Sequence, residues 1–417
     1  MKNVCYAQSG GPTAVINESA RAVIETVRAN SDFFGNIFAG KNGISGILKE
    51  ELIDINQESE AAIQGLKYTP AAAFGSCRHK LKDPDTHREH YERLMNVFDA
   101  HNIGYFFYNG GGDSQDTAYK IAHYSQKLGY PLVCIGIPKT IDNDLAFTDC
   151  SPGFASAAKY LATSIREASL DLASMCTTST QVFVLETMGR NTGWLAAATG
   201  VASDETHQAP HIILLPEVAF DRENFLVRVE ACVRQHGQCA IVVSEGIRDQ
   251  EGRLLLEGTA TDSFGHHQLG GVGTIIAKTI QQNLGLKQHC AVADYLQRAA
   301  RHLASQTDRE HAYAVGKAAV EFAIEGKNAV MPIIVRDSSE PYRWHIQSAC
   351  LKEVANYEKH LPKEFIREDG FHITDQCRDY VRPLIMGECS PHYLNGLPNY
   401  ALLKKKMVEK RLVMVAV

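Results

Sequence analysis

The heptapeptide Pro138-Lys139-Thr140-Ile141-Asp142-Asn143-Asp144 decides how this chain is read. It follows residues 131–137 (PLVCIGI), an apolar, β-branched run short enough for one buried parallel strand. Burying the lysine and two carboxylates that end it costs roughly several kcal/mol per unpaired ion. The charges are therefore expected at the exposed carboxyl end of the strand, where open α/β sheets hold ligands. Asp142 and Asp144 are two residues apart, so on an extended segment both face one side. One carboxylate can then take a proton while the other holds a cation. Taken alone, the heptapeptide reads equally well as a solvated turn with an Asx cap.

At 417 residues the chain is long for one core, and two lobes are expected. A hydrophobic content of 45% and a charged content of 22% are those of an ordinary soluble globular protein. The net charge of −6 argues against nucleic acid as a partner, and Lys404-Lys405-Lys406 reads as a solvated helix end. Eleven cysteines without a CxxC pair fit the reduced thiols of a cytoplasmic protein, and Cys77 beside Arg78 reads as a passive thiol. No apolar run reaches the roughly 18 residues of a membrane span, and the start of the chain does not read as a signal peptide. No membrane partner is expected.

Residues 3–8 read as the first strand, followed by Ser9-Gly10-Gly11-Pro12 and apolar positions Val15, Ala20, Val23, Ile24 and Val27 at helical spacing. Pro12 suits a first helical turn. Strand, glycine turn and helix form a general phosphate-binding arrangement, because glycine lets the backbone approach and the helix start offers N–H groups. It is neither GxGxxG nor Walker A, so a dinucleotide-binding oxidoreductase ranks low. In Gly75-Ser76-Cys77-Arg78-His79-Lys80 the alternating Arg78 and Lys80 project the same way from an extended loop; two solvated cations is the plainer reading. The aromatic strand 105–108 runs into Asn109-Gly110-Gly111-Gly112-Asp113-Ser114, where a helix starts with Ser114 as its cap. An aspartate pointing at a phosphate site needs a metal between them, or it repels.

Further on, 153–175 reads as a long helix and 180–186 as a strand ending at Met188-Gly189-Arg190, before a helix over 194–202. Arg190 can reach an anionic ligand bidentately. Strands are expected at 211–217 and 239–247, the second ending at Ser244-Glu245-Gly246, with a helix over 222–234 between them. Gly270-Gly271 opens a helix through Ile280. The preceding His266-His267 pair reads as loop residues, not metal ligands, because adjacent histidines diverge. A strand over 288–295 leads to Gln297-Arg298, and a helix over 307–324 precedes a strand over 329–335. Beyond Asp337, prolines 341, 362, 383, 391 and 398 punctuate short helices that pack across the lobes or on a neighbouring subunit.

Ser9-Gly10-Gly11, Gly75-Ser76-Cys77-Arg78, Gly110 to Ser114, Pro138 to Asp144, Met188-Gly189-Arg190 and Ser244-Glu245-Gly246 occur in the order found in phosphofructokinases. The chain resembles that family over roughly its first 335 residues, and the joint pattern is specific although each motif alone is not. The resemblance implies a phosphofructokinase-like α/β fold: two three-layer α/β/α lobes with mainly parallel sheets and the active site in the cleft between them. The expected divisions are a phosphoryl-donor lobe over 1–150, closed by later segments, a sugar-phosphate lobe over 151–335, and a helical segment over 336–417. It also implies phosphorylation of fructose 6-phosphate at its 1-hydroxyl, with Mg²⁺. On the matching motifs Asp142 resembles the general base, with Lys139 and Arg190 as charged partners. Thr140 and Asp144 resemble its companions at sugar and metal. Met188, Gly189 and Arg190 resemble the sugar-phosphate contacts, and Glu245 the residue that fixes sugar hydroxyls. Gly11, Arg78 and Asp113 fall on the donor side, Lys80 is a further substrate-binding cation, and Asp113 and Asp144 are the metal carboxylates. Where ATP-dependent relatives hold the 6-phosphate with arginines, this chain has Gln181 and His289. Lys287, Tyr295 and Arg298 are the substitutes.

The donor is read at two positions. ATP-using relatives have glycine where Asp113 and Lys139 stand, and pyrophosphate-using relatives carry Asp and Lys. A carboxylate about 4 Å from a nucleotide's α-phosphate costs roughly 4 kcal/mol at an effective dielectric of 20. That is on the order of a thousandfold in affinity. The expectation is therefore a reversible pyrophosphate-dependent enzyme of glycolysis and gluconeogenesis, assembled as a homodimer or homotetramer. The alternatives are ATP as donor, another phosphosugar such as sedoheptulose 7-phosphate, or a silent regulatory subunit. A silent copy has no physical need to keep Asp142, Asp144, Lys139 and Arg190 together in a cleft.

Overall fold

The structure is a computed structural model that describes residues 1–256, 270–355 and 357–412; His266 and His267 lie outside the described residues. Its strands in chain order are β1 (Asn3–Gln8), β2 (Ile37–Gly40), β3 (Leu52–Asp54), β4 (Ile103–Gly110), β5 (Val133–Pro138) and β6 (Val182–Thr187). They continue with β7 (Ile212–Leu214), β8 (Cys239–Ser244), β9 (Gln288–Val292), β10 (Val330–Ser339) and β11 (Tyr342–Cys350). The alternation in β1 shows how the sequence builds a covered sheet. Val4 and Tyr6 point into one apolar cluster with Val23, Ile24 and Val315, while Cys5 and Ala7 point into another with Leu94, Ala118 and Ile121. Helices Ile16–Ala29 and Gln306–Ile324 therefore cover one face, and Arg88–Ala100 and Gly112–Lys127 the other.

The first sheet has seven strands in the order β11-β10-β5-β4-β1-β2-β3. Its interior pairs are parallel, and the edge strands β11 and β3 are antiparallel to their neighbours. The second sheet, β7-β8-β6-β9, is wholly parallel. One apolar cluster runs from Val4 and Tyr6 through Phe154, Leu161 and Ile165 of helix Phe154–Met175 to Leu185 and Val242 under the second sheet. The two halves thus share a core instead of meeting at an exposed linker.

The sheets divide the chain differently from the expected boundaries. Helix Gln306–Ile324 and β10 return to the first sheet, so the second sheet's own strands all lie before Ala293. The segment 336–417 is helical only in its middle, at Leu351–Val354, Asp375–Val381 and the 3₁₀ turns Lys363–Phe365 and Arg382–Ile385. Its first part is β11, hairpin partner of β10 at the edge of the first sheet. Its tail covers the opposite edge: Asp54 donates its N–H to the Lys406 carbonyl and Val408 donates to the Leu52 carbonyl, both at 2.8 Å. Lys404 and Lys405 are part of that tail, their N–H groups bonded to the Glu58 carboxylate at 2.9 and 2.7 Å, and do not end a helix. Pro12 lies outside the first helix, which starts at Ile16. Gly111, not Ser114, caps helix Gly112–Lys127; the Ser114 hydroxyl donates to Ser9 Oγ at 2.8 Å and ties two glycine turns together. All eleven cysteines are free. Among the described residues no helix is long and apolar enough to cross a membrane.

Candidate active site

Strand register brings the sequence motifs together. Gln8 pairs with Asn109 and Gly110 with Pro138, so the segments following β1, β4 and β5 leave the sheet side by side. In the second sheet Thr187 pairs with Ser244 and Glu186 with Val292, which aligns Met188-Gly189-Arg190, Glu245 and the residues after β9. The two sets of carboxyl ends face each other across a cavity of about 880 Å³. Gly11, Arg78, Asp113, Lys139, Thr140, Asp142, Asp144, Met188, Arg190, Glu245, Tyr295 and Arg298 all line it.

On one wall, cations crowd two glycines. Lys139 donates from Nζ to the Gly11 carbonyl at 2.7 Å. A Cβ on Gly10, whose φ is +75°, would lie 3.2 Å from that nitrogen. A Cβ on Gly11 would lie 2.5 Å from the Arg298 guanidinium and 3.8 Å from that of Arg78. At Gly10 the positive φ favours glycine, and at Gly11 a Cβ would have to displace the end of the Arg298 side chain. Lys139 is 3% exposed, whereas the charges after β5 were expected at the surface. Burial pushes its pKa down to about 8; Asp142 pulls the other way and Arg298 pushes further down. Arg298, placed by resemblance at the sugar's 6-phosphate, lies over Gly11 and under the Tyr295 ring, 4.0 Å from its centroid. Burial lowers the Arg298 pKa also.

Asp113 sits in the first turn of helix Gly112–Lys127, where the helix dipole favours a carboxylate. It is salt-bridged to Lys80 Nζ at 2.7 Å, and that bond raises the Lys80 pKa. The negative charge expected to stand alone on the donor side is therefore paired.

Asp142 and Asp144 continue the same loop from Lys139 and act on its charge, though not through an extended segment. Asn143 between them turns the chain at φ +53°. The Asp142 N–H donates to Thr140 Oγ1 at 3.0 Å, and its carbonyl accepts from Thr192 Oγ1 at 3.3 Å, a link to the second sheet's loop. Burial raises the pKa of both carboxyls. Glu245 adds most of the repulsion at Asp142, and Asp142 most of that at Asp144; Glu358 adds to both. Asp144 Oδ1 is buried and without a hydrogen-bond partner.

The loop after β6 is held by its own glycine. Gly189 adopts φ +139°, donates to Glu245 Oε1 at 3.3 Å and accepts from Ser244 Oγ at 2.7 Å. The Met188 N–H donates to Gln297 Oε1 at 3.2 Å. Burial raises the Glu245 pKa, while the Gly189 N–H and Arg190 oppose the shift. An alanine at 189 would place its Cβ 2.6 Å from the Thr192 carbonyl. Gly189→Ala is expected to cost about 1–3 kcal/mol of folding stability. Urea denaturation checks it, and an unchanged midpoint would mean the loop can shift freely.

Sequence reasoning missed several residues of the cleft. Glu186 accepts from the N–H groups of Gly271 and Gly273 at 2.8 and 2.7 Å and so anchors helix Val272–Leu284. A carboxylate at a strand's carboxyl end marked it, as it marked Glu245. Glu358 reaches the cleft from beyond β11, accepting from Asn191 Nδ2 at 3.2 Å, and no local pattern announces it. Lys287 is not brought to the cleft: it precedes β9 at the strand's opposite end and donates to Ser179 Oγ at 3.2 Å.

Cations gathered over glycine turns, with carboxylates facing them, suit the handling of phosphoryl groups. Two sheets presenting their carboxyl ends across one cleft give the arrangement expected of a phosphofructokinase. The chain belongs to that family: the family described as Phosphofructokinase matches residues 3–323. It is 59% identical over 410 residues to a pyrophosphate–fructose 6-phosphate 1-phosphotransferase of Halomonas elongata, covering 98% of each chain. It is likewise 59% identical over 411 residues to the enzyme of that name from Methylococcus capsulatus, covering 99% of this chain and 98% of that one. Among solved structures, a pyrophosphate-dependent phosphofructokinase from Marinobacter aquaeolei is 56% identical with a TM-score of 0.91, over 99% of both chains.

Proposed function

We propose that the chain transfers a phosphoryl group reversibly between pyrophosphate and the 1-hydroxyl of D-fructose 6-phosphate. The relatives' shared activity supports the reading, and the observation that carries it is the donor wall. Lys139, Arg78 and Arg298 converge on Gly10-Gly11 beside the Asp113–Lys80 pair. Such a site suits a small, highly charged donor.

In the forward direction the sugar's O1 attacks phosphorus, its proton passes to Asp142, and the bridging P–O bond breaks to release phosphate. A carboxyl with a raised pKa is a stronger base, matched to work near neutral pH. Lys139, Arg78 and Arg298 neutralise charge on the donor. Arg190, with Met188, Gly189 and Glu245, holds the sugar phosphate, and Thr140 braces the Asp142 backbone. The carboxylates fit a divalent cation, Mg²⁺ in this reading, because Asp144 Oδ1 is buried without a partner and its neighbours are negative. Held by Asp144, such a cation would supply Lewis-acid charge to offset that developing on the transferred phosphoryl group. Asp144 is the better ligand, since Asp113 is committed to Lys80.

The test is a paired donor assay. Purified protein with Mg²⁺ and fructose 6-phosphate should turn over with pyrophosphate and not with ATP; the reverse result overturns the proposal. Asp113→Gly is expected to raise kcat/KM for ATP by about 10²-fold, below the thousandfold of an unpaired carboxylate because Lys80 already screens it. Steady-state kinetics with ATP measures this, and no gain would move donor choice away from Asp113.

A further inference from the structure

We infer that Lys359 is a positioning residue of the active site, holding the loop that carries Asp142 against the loop that carries Arg190. Its ammonium donates to Asn143 Oδ1 at 3.2 Å, the Thr148 carbonyl at 3.0 Å and the Asp149 carbonyl at 2.7 Å. Three donors thus meet three acceptors, all within one turn of chain directly after the base. The Lys359 N–H donates to the Asp144 carbonyl at 2.7 Å, and Glu358 bridges Leu145. One residue therefore ties down 143–149 by four hydrogen bonds, from 216 positions further along the chain in the case of Asn143.

That loop needs an external hold. Asn143 and Phe147 both lie in the left-handed region, at φ +53° and +69°, where a non-glycine backbone is strained. The other side of Lys359 faces the second sheet. Its carbonyl accepts from Trp194 Nε1 at 3.0 Å, and its ammonium lies 5.2 Å from the centre of the Trp194 ring. Trp194 begins the short helix that follows Arg190 and Thr192. Base and sugar-phosphate loops are thus pinned to one another through a residue lying beyond the 3–323 match to the family. Asp149's carboxylate is occupied by Arg336 at 2.9 Å, so the hydrogen-bond partners of the ammonium are neutral oxygens.

The inference rests on the phosphotransfer reading, and wild-type turnover tests that reading first. Lys359→Met keeps the stem and removes the ammonium. Its kcat is expected to fall about 10²-fold, as for a reacting group displaced by an ångström. KM for pyrophosphate should stay within about threefold, since the donor-side cations Lys139, Arg78 and Arg298 keep their places, while KM for fructose 6-phosphate is free to rise with the Arg190 loop. In an Asp142→Asn background the same substitution should cost less than about threefold in kcat, because a base already lost cannot be misplaced. A general loss of folding would instead lower both backgrounds alike. Lys359→Arg keeps the charge but offers a planar fork to a site built for three diverging donors, and should lose about tenfold. An active wild type whose Lys359→Met variant keeps kcat within twofold overturns the inference. So does an undiminished effect in the Asp142→Asn background. Should Lys359→Met not fold, full kcat in Lys359→Arg overturns it.

Discussion

Asp142→Asn is expected to lower kcat about 10³-fold, within the range for removing a general base, while both KM values change little. The amide is nearly isosteric, the backbone bonds to Thr140 Oγ1 and from Thr192 Oγ1 survive the change, and the amide oxygen can still accept the hydrogen bond that Thr140 gives the carboxylate. The same substitution should leave the protein as stable as before or more so. Glu245 and Glu358 repel the Asp142 carboxylate in the ligand-free cleft, and Asp142 in turn repels Asp144, so removing its charge relieves that repulsion. Thermal denaturation without substrate or metal should show no fall in Tm. A folded variant that keeps more than a tenth of wild-type kcat would remove Asp142 as the base. A large drop in Tm would mean the residue is structural.

The second large effect is at Lys139. Lys139→Met should reduce kcat/KM for pyrophosphate by about 10²–10³-fold, the scale for losing one preorganised charge partner. Its signature lies in the pH profile. In the free enzyme the Lys139 pKa is pushed down to about 8, and pyrophosphate binding needs the ammonium. Wild-type kcat/KM for the donor should therefore fall as pH rises through about 8, and the variant should lack that limb. Stability moves the opposite way. A folded pKa below the unfolded one means the folded chain binds fewer protons between about pH 8 and the ordinary lysine range, so stability rises with pH in that window. Removing the charge should raise Tm at pH 7. A variant that keeps the limb near pH 8 would assign it to another group. Unchanged donor kinetics would place the phosphoryl groups elsewhere in the cleft.

Much of the site was legible because each motif sits where a buried strand stops. Strand ends recur at Gln8, Gly110, Pro138, Thr187 and Ser244, and all five lead into the cleft. An apolar run followed by glycines and charges is a local signal, readable without a fold. Partnership was not legible. Nothing near Asp113 in sequence says that Lys80 will neutralise it, and nothing near Arg298 says that its guanidinium will lie over Gly11. Lys287, named by resemblance among the 6-phosphate substitutes, stands at the end of β9 opposite the cleft. The short helices expected beyond Asp337 are present at Leu351–Val354 and Asp375–Val381, but the strand before them and the extended tail after them are not helical. β11 itself carries a strand period, with Tyr342, Trp344 and Ile346 packed on the core and Arg343, His345 and Gln347 exposed between them, so this hairpin was legible in the sequence and went unread.

By itself, the order of residues determined that this is an α/β protein of paired sheets with a phosphate-handling cleft. Periodicity, glycine turns and strand-terminal charges are local properties that survive without a folded context. Only the tertiary structure decided which charges meet. The depression of Lys139, the raised carboxyls and the fourfold grip of Lys359 on 143–149 arise from burial and from neighbours far away in the chain. Both depend on distance in space, which the spacing of residues along the chain does not encode.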